Sequence, residues 1–150
     1  MPDADSVLES ALSGIPPGKA LDLAAGSGRH SLWLAERRWD VTAVDIQIEA
    51  SAGVHSSVHR IRADLEKHEY PIAPDSWDLI LCWRYWQPDL LPEIARGVRQ
   101  GGIAALAGKT SGRFATSEKR FREAFPAWTE IASGRNEPIA FFIARKELID

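Results

Sequence analysis

The segment from Ala20 to Gln47 most constrains the fold of this chain, because it places a glycine-rich turn and an amphipathic stretch between two short apolar runs. Ala20 to Ala24 is apolar except for Asp22, a pattern typical of a strand that is buried on both faces. The turn Ala24 to Gly28 follows, and its glycines permit left-handed backbone angles and a close approach of a ligand. We therefore expect a strand, a tight turn and a helix in immediate succession.

The rest of the segment predicts the helix and a second strand. Leu32, Ala35 and Trp39 recur at helical spacing and are assigned to the buried side, while the charged residues between them face water. The apolar run that follows ends in Asp45. An acid at a strand tip can accept hydrogen bonds from ribose hydroxyls, and backbone N–H groups at a helix N-terminus favour polar ligand groups. The unit thus predicts a site for an adenosine-type ligand.

The glycine pattern alone leaves the ligand class open. The dinucleotide pattern G-x-G-x-x-G requires a third glycine, and Ser31 occupies that position. A nicotinamide dinucleotide and another adenosine-containing cofactor therefore both remain possible at this point.

Four motifs in chain order resemble those of class I S-adenosylmethionine-dependent methyltransferases. The run L-D-L-A-A-G-S-G-R-H-S, followed by V-T-A-V-D, is similar to the first two motifs. Three further segments are similar to the later motifs of the family: Arg62 to Leu65, Ser76 to Cys82 and Val98 to Ile103. The whole resemblance extends from Gly18 to Lys146. Within the family, G-S-G-R-H-S-L-W-L-A-E-R most resembles the small single-domain enzymes related to tellurite-resistance and thiopurine methyltransferases.

The resemblance implies a Rossmann-like, doubly wound α/β fold, with a mostly parallel seven-stranded sheet and a C-terminal antiparallel hairpin. We expect residues 1–150 to form one domain, in which residues 1–17 contribute a short helix and a linker. The remaining strands are predicted at His59 to Ala63, Trp77 to Trp83, Ile103 to Ala107, Trp128 to Ala132 and Ile139 to Arg145, with Gly134 to Asn136 joining the last two. Helices are predicted at Ser6 to Ser13, Ile46 to Ala52 before Gly53, Leu90 to Arg99 and Ser117 to Phe125.

The resemblance also implies a set of cofactor-binding residues. The turn would contact the methionine moiety, and Asp22 would orient that turn and the ammonium of the methionine moiety. Asp45 would hold the ribose and Asp64 the adenine amine, with Ile46 and Leu65 on the two faces of the adenine ring. For Asp45 and Asp64, a purely structural role as a cap is the alternative. The complete predicted set is Asp22, Ala24, Gly26, Ser27, Gly28, Asp45, Ile46, Asp64, Leu65, Cys82 and Trp83.

The segment after the fourth predicted strand carries the candidate catalytic residues, Arg84 and Tyr85. Arg84 is expected to bind an anionic substrate group, and Tyr85 to act as a hydrogen-bonding or proton-accepting group. Trp83 and Trp86 would wall the substrate or meet a sulfonium, unless they belong to the core. For His30, a role in packing or capping is the simpler interpretation. The other histidines, His55, His59 and His68, do not have the spacing of metal ligands, so no bound metal is expected.

The composition limits the partners and the cellular compartment that we expect for this protein. A net charge of −3 with scattered basic residues gives no reason to expect nucleic acid as a partner. No apolar run approaches the roughly 20 residues needed to cross a bilayer, and residues 1–13 do not have the pattern of a signal peptide. Cys82 is the single cysteine, which favours a small buried residue and a reducing cytoplasm. We expect a monomer or a homodimer.

These features together predict an S-adenosylmethionine-dependent methyltransferase that acts on a small molecule. Two alternatives stay open. One is a non-catalytic module or subunit that binds an adenosine cofactor, because no acid–base pair is evident. The other is an NAD-dependent oxidoreductase, which Ser31 and the lack of a Tyr-x-x-x-Lys pair disfavour.

Overall fold

A seven-stranded mixed sheet organises the computed structural model, which describes residues 3–51 and 56–148. The strands are β1 (Lys19–Leu23), β2 (Asp40–Asp45), β3 (His59–Arg62), β4 (Trp77–Trp83), β5 (Val98–Lys109), β6 (Thr129–Asn136) and β7 (Ile139–Arg145). Their order is β3-β2-β1-β4-β5-β7-β6, and the first five are parallel. Strand β7 pairs antiparallel with both β5 and β6. The predicted fold class, including the terminal hairpin, is confirmed.

Helices cover both faces of this sheet. They are α1 (Ala4–Ser13), α2 (Arg29–Glu36), α3 (Leu91–Gly97) and α4 (Glu118–Ala124). Alternate residues of β4 point to opposite faces, so that Leu79 and Leu81 pack with α1 and α2, while Ile80 packs with α3 and α4. Both layers are apolar, which explains why β4 is hydrophobic throughout Leu79 to Trp83.

Two helix predictions needed correction. In α2 the buried leucine is Leu34 rather than Leu32, and Trp39 is buried but lies beyond the end of the helix. The predicted helix Leu90 to Arg99 ends at Gly97, because the chain enters β5 at Val98. Gly101 has a φ of +83° in this strand, where the register against β4 shifts.

The terminal hairpin also turns later than expected. Strand β6 continues through Asn136, and the turn is formed by Glu137 and Pro138. Between Asp45 and β3, the structure shows a short 3-10 helix, Ile48–Ser51, in place of the predicted α-helix. The end of that prediction, Ala52 and Gly53, lies outside the described residues.

Candidate active site

The carboxyl ends of the parallel strands meet at a cleft beside the point where the strand order reverses. The chain builds outward from β1 through β2 to β3, then returns to place β4 on the other side of β1. Ligands of open α/β sheets bind at such a point. The cleft has a volume of about 350 Å³ and is lined by Ala24, Asp45, Ile46, Ala63, Asp64, Leu65, Glu66, Arg84 and Tyr85.

The glycine turn is fixed to the tip of β2 by Asp45. One oxygen of this carboxylate accepts a hydrogen bond from the Gly26 N–H at 3.0 Å, and the other accepts one from the Gln47 N–H at 2.8 Å. Gly26 and Gly28 have φ values of +59° and +81°, so the turn uses the left-handed angles expected of glycine. Since each carboxylate oxygen has two lone pairs, Asp45 retains acceptor capacity toward the cleft.

Asp22 lies beneath this turn rather than in the cleft. Its side chain is 2% exposed, and the Ser31 hydroxyl donates a hydrogen bond of 2.6 Å to it. Burial raises the pKa of Asp22 to about 7, despite the opposing effect of the Ser31 hydrogen bond. Ser31, which departs from the dinucleotide pattern, therefore satisfies a buried carboxyl group and ties the first turn of α2 to β1.

The three residues predicted to meet the adenine, Asp64, Leu65 and Ile46, all line the cleft. Asp64 caps its own turn, because its Oδ1 accepts a hydrogen bond from the Glu66 N–H at 2.9 Å. Leu65 lies beside it, and Ile46 is 57% exposed at the tip of the neighbouring strand β2. A large apolar side chain so exposed beside a cleft is suited to cover a flat ring.

Two hydrogen bonds in series connect the Tyr85 side chain, through Gln87, to the backbone of Leu65. Its hydroxyl donates to Gln87 Oε1 at 2.6 Å, and Gln87 Nε2 donates to the Leu65 carbonyl at 3.0 Å. Burial, with a further contribution from Glu66, raises the pKa of Tyr85 to about 12. The side chain therefore stays protonated near neutral pH, and the geometry favours a hydrogen-bonding role over proton acceptance.

Arg84 occupies a strained backbone position directly after β4. Its φ is +66°, and the N–H groups of Arg84 and Tyr85 both donate to the Ala107 carbonyl, at 2.8 and 3.2 Å. Non-glycine residues with such angles persist where surrounding structure holds them, and they cluster at functional sites. The side chain is 49% exposed and lines the cleft.

A buried carboxylate from α1, which the sequence analysis did not single out, joins these elements. Asp5 is 6% exposed and accepts a hydrogen bond of 2.8 Å from Trp83 Nε1. It also pairs with Arg29 at 3.0 Å and lies 3.6 Å from both Arg84 and His30. Burial lowers the pKa of His30, which favours its neutral form. Helix α1 is thereby anchored at the carboxyl edge of the sheet.

Asp5→Ala is expected to lower the free energy of unfolding by about 2 kcal/mol, because a charged acceptor is removed while Trp83 Nε1 stays buried. Urea unfolding followed by tryptophan fluorescence measures this loss. Asp3→Ala is the matched control, since Asp3 caps the same helix from an exposed position. A loss no greater than that of the control would contradict the proposed anchor.

Several predicted cofactor residues lie outside the cleft lining. Cys82 is buried against the α3–α4 layer, where desolvation raises the pKa of its thiol to about 12. Trp83 is buried on the opposite face, and its ring meets that of Phe141. The structure brings seven predicted residues to the cleft and adds Ala63 and Glu66. The predicted residues that do not line it are Asp22, Gly26, Ser27, Gly28, Cys82 and Trp83.

The described residues contain neither a group of side chains that could bind a metal ion nor a helix that could span a membrane. Within residues 3–51 and 56–148, the structure groups no three His, Cys, Asp or Glu side chains in a way that could hold a metal ion, and His55 lies outside that range. None of the helices in the same range is long and apolar enough to span a bilayer.

Comparison with known proteins identifies the family to which this chain is related. Residues 20–102 match the model of a methyltransferase domain family. Malonyl-[acyl-carrier protein] O-methyltransferase of Salmonella typhimurium is 31% identical over 109 residues, which are 69% of this chain and 43% of that protein. The chain thus spans less than half the length of this curated relative.

Solved structures share the fold. TehB from Haemophilus influenzae has a TM-score of 0.79 at 19% identity, over 97% of this chain and 63% of that one. The 1,6-didemethyltoxoflavin-N1-methyltransferase of Burkholderia thailandensis, solved with 1,6-didemethyltoxoflavin and S-adenosylhomocysteine, has a TM-score of 0.69 at 20% identity, over 97% and 77%. The family match spans more than half of the chain and includes the glycine turn, Asp45 and Asp64. The chain therefore belongs to the methyltransferase domain family.

Proposed function

We propose that this protein transfers a methyl group from S-adenosylmethionine to a small-molecule acceptor. The observation that carries the proposal is the lining of one cleft, to which Asp45, Asp64 and Leu65 contribute together with Arg84 and Tyr85. The first three suit an adenosine, and the last two border the space beyond it. The family match and the Burkholderia structure with bound S-adenosylhomocysteine support the cofactor class.

The cleft fits such a cofactor in size and charge. Its volume falls within the range of roughly 300–1,000 Å³ found for small-molecule sites. Three carboxylates line it, those of Asp45, Asp64 and Glu66, against one guanidinium. That excess of negative charge suits a ligand with a sulfonium and an ammonium. Asp45 would accept hydrogen bonds from the ribose hydroxyls, and Ile46 and Leu65 would lie on the two faces of the adenine ring.

When bound, the cofactor supplies an activated methyl group, and the protein needs to position the acceptor and exclude water. Alignment of reacting groups alone can contribute roughly 7–11 kcal/mol to lowering a barrier. Tyr85 and Arg84 are proposed to align the acceptor, because the first is fixed through Gln87 and the second by the backbone contact with Ala107. We place the protein in the cytoplasm as one domain, monomeric or homodimeric, consistent with its buried, unpaired Cys82.

S-adenosylhomocysteine is expected to bind, and NAD is not. A ligand that binds only the folded state at 100 times its Kd stabilises by about 2.7 kcal/mol, which raises the melting temperature measurably. Thermal melts and calorimetric titrations with both ligands provide the measurement. Equal stabilisation by NAD would favour the oxidoreductase alternative, and no effect of either ligand would overturn the proposal.

A cofactor-binding module without catalysis is the second candidate. The observation that favours it is the high pKa of Tyr85 together with its engagement by Gln87, which leaves the pair Arg84 and Tyr85 without a proton acceptor. Binding of S-adenosylhomocysteine without methyl transfer to any compound in a screen of thiols, amines, phenols and carboxylates would support the module.

A further inference from the structure

A second cavity continues from the cofactor cleft on the side of Arg84 and Tyr85. It has a volume of about 180 Å³, shares Glu66, Arg84 and Tyr85 with the first cleft, and adds Trp86, Lys109 and Phe114. We propose that this cavity binds the methyl acceptor and that the acceptor is a small aromatic carboxylate with a hydroxyl or amino group. The proposal rests on the proposed function, because the shared residues mark the border with the cofactor site.

Two aromatic side chains form the apolar walls of this acceptor cavity. The Trp86 ring is held by Phe121, with an edge-to-face centroid distance of 5.6 Å, and by the Arg120 guanidinium at 4.6 Å from its centroid. Phe114 is 58% exposed and so contributes little to the core. A fixed indole and an exposed phenyl ring on one small cavity favour a flat, unsaturated ligand, since aromatic rings gain from stacked or edge contacts.

The charge of the lining favours an anion. Lys109 at the end of β5 is exposed, and its ammonium group forms no ion pair with any residue that the structure describes. Arg84 has only the distant contact of 3.6 Å with Asp5, which already pairs with Arg29 at 3.0 Å. Two cations and one carboxylate, that of Glu66, therefore line the cavity. A ligand carboxylate would form charge-assisted hydrogen bonds with both.

The size of the cavity limits the acceptor further. A volume of about 180 Å³ is smaller than the roughly 300–1,000 Å³ of typical sites for drug-sized ligands. It suits one aromatic ring with short substituents.

Glu66 supplies the proton acceptor that Tyr85 does not. Its side chain is exposed, and it lines both cavities at their border. The lone pair of the acceptor oxygen or nitrogen forms the new bond to the methyl carbon, the electron pair of the broken carbon–sulfur bond stays on sulfur, and the acceptor proton passes to the Glu66 carboxylate. The sulfonium is thereby converted to a thioether, and charge and atoms balance.

The experiment measures binding of benzoate and of its neutral analogue benzamide to protein saturated with S-adenosylhomocysteine. We expect benzoate to bind about ten-fold more tightly than benzamide, since a charged hydrogen-bonding group is worth about that factor. Lys109→Gln should remove most of this preference. Lys119→Gln is the control, because Lys119 is exposed on α4 and pairs with Glu123.

Turnover tests the same preference for the reaction. Hydroxybenzoates and aminobenzoates are expected to accept the methyl group at least about ten-fold faster than the matching benzamides. Binding of S-adenosylhomocysteine without discrimination between benzoate and benzamide would overturn the acceptor class and leave the proposed function standing. Displacement of S-adenosylhomocysteine by benzoate would also overturn it, and failure of S-adenosylhomocysteine to bind would overturn the proposed function itself.

Discussion

Asp22→Asn is expected to make the protein more stable at pH 8 than the unsubstituted chain. Burial raises the pKa of Asp22 to about 7 from an ordinary value of 3.8. The folded state therefore binds more protons than the unfolded state between these values, and the free energy of unfolding falls as the pH rises through them. At 1.36 kcal/mol per pKa unit, ionisation costs roughly 4 kcal/mol above pH 7.

Asparagine avoids this cost, because it carries no charge and its carbonyl can still accept the hydrogen bond from the Ser31 hydroxyl. Urea unfolding at pH 5 and pH 8 measures the effect, and the stability of the asparagine variant should vary less with pH than that of the unsubstituted protein. Asp40→Asn is the control, since Asp40 is exposed at the start of β2. A variant that is less stable than the unsubstituted protein at pH 8 would contradict the pKa of this carboxyl group.

Because ionisation of the buried Asp22 lowers the stability of the fold, a functional role is the natural reason for an aspartate at this position. The resemblance implies that Asp22 orients the turn and the ammonium of the methionine moiety, and a nearby cation would favour the ionised form. If Asp22→Asn stabilises the protein and yet weakens binding of S-adenosylhomocysteine, stability has been given up for cofactor binding, a common relation at functional sites. Unchanged affinity would limit Asp22 to a structural role.

The central sheet could be predicted from sequence because its strands carry strong local signals. The run of β4, apolar except for Asp78, predicted its bounds, Trp77–Trp83, without error. The boundary between α3 and β5 could not be found in the same way. Val98 lies seven residues after Leu91 and four after Ile94, which is helical spacing, and it is buried in either conformation. Hydrophobic spacing does not distinguish a last helical turn from a first strand residue.

The part of the cleft lining that comes from the carboxyl ends of strands could be predicted from the sequence. Asp45 ends β2, and Asp64 lies two residues after the end of the parallel strand β3, so the topology alone brings them to one edge. Cys82 and Trp83 lie in the two packed layers rather than in the cleft lining, because the last residues of a strand still alternate between the two faces of the sheet. Asp5 gave no local signal, since its burial depends on Trp83, 78 residues away.

Asp45→Ala is expected to weaken binding of S-adenosylhomocysteine by about ten- to a hundred-fold, since hydrogen bonds to a charged acceptor contribute roughly 1.5–3 kcal/mol. The substitution removes the proposed ribose acceptor and also frees the N–H groups of Gly26 and Gln47. A modest loss of stability, about 1 kcal/mol, should accompany it, because both N–H groups lie near the surface and can bind water. Calorimetric titration and urea unfolding measure the two effects separately.

Asp40→Ala is the matched control for this substitution, because Asp40 begins the strand that Asp45 ends and lies at the opposite edge of the sheet. It should leave the affinity unchanged. The two roles of Asp45 predict different results: a group that only fixes the turn affects binding through stability, whereas a ribose acceptor affects affinity by more than the stability loss explains. Loss of stability at unchanged affinity would therefore reduce Asp45 to a cap and remove the main contact assigned to the cofactor.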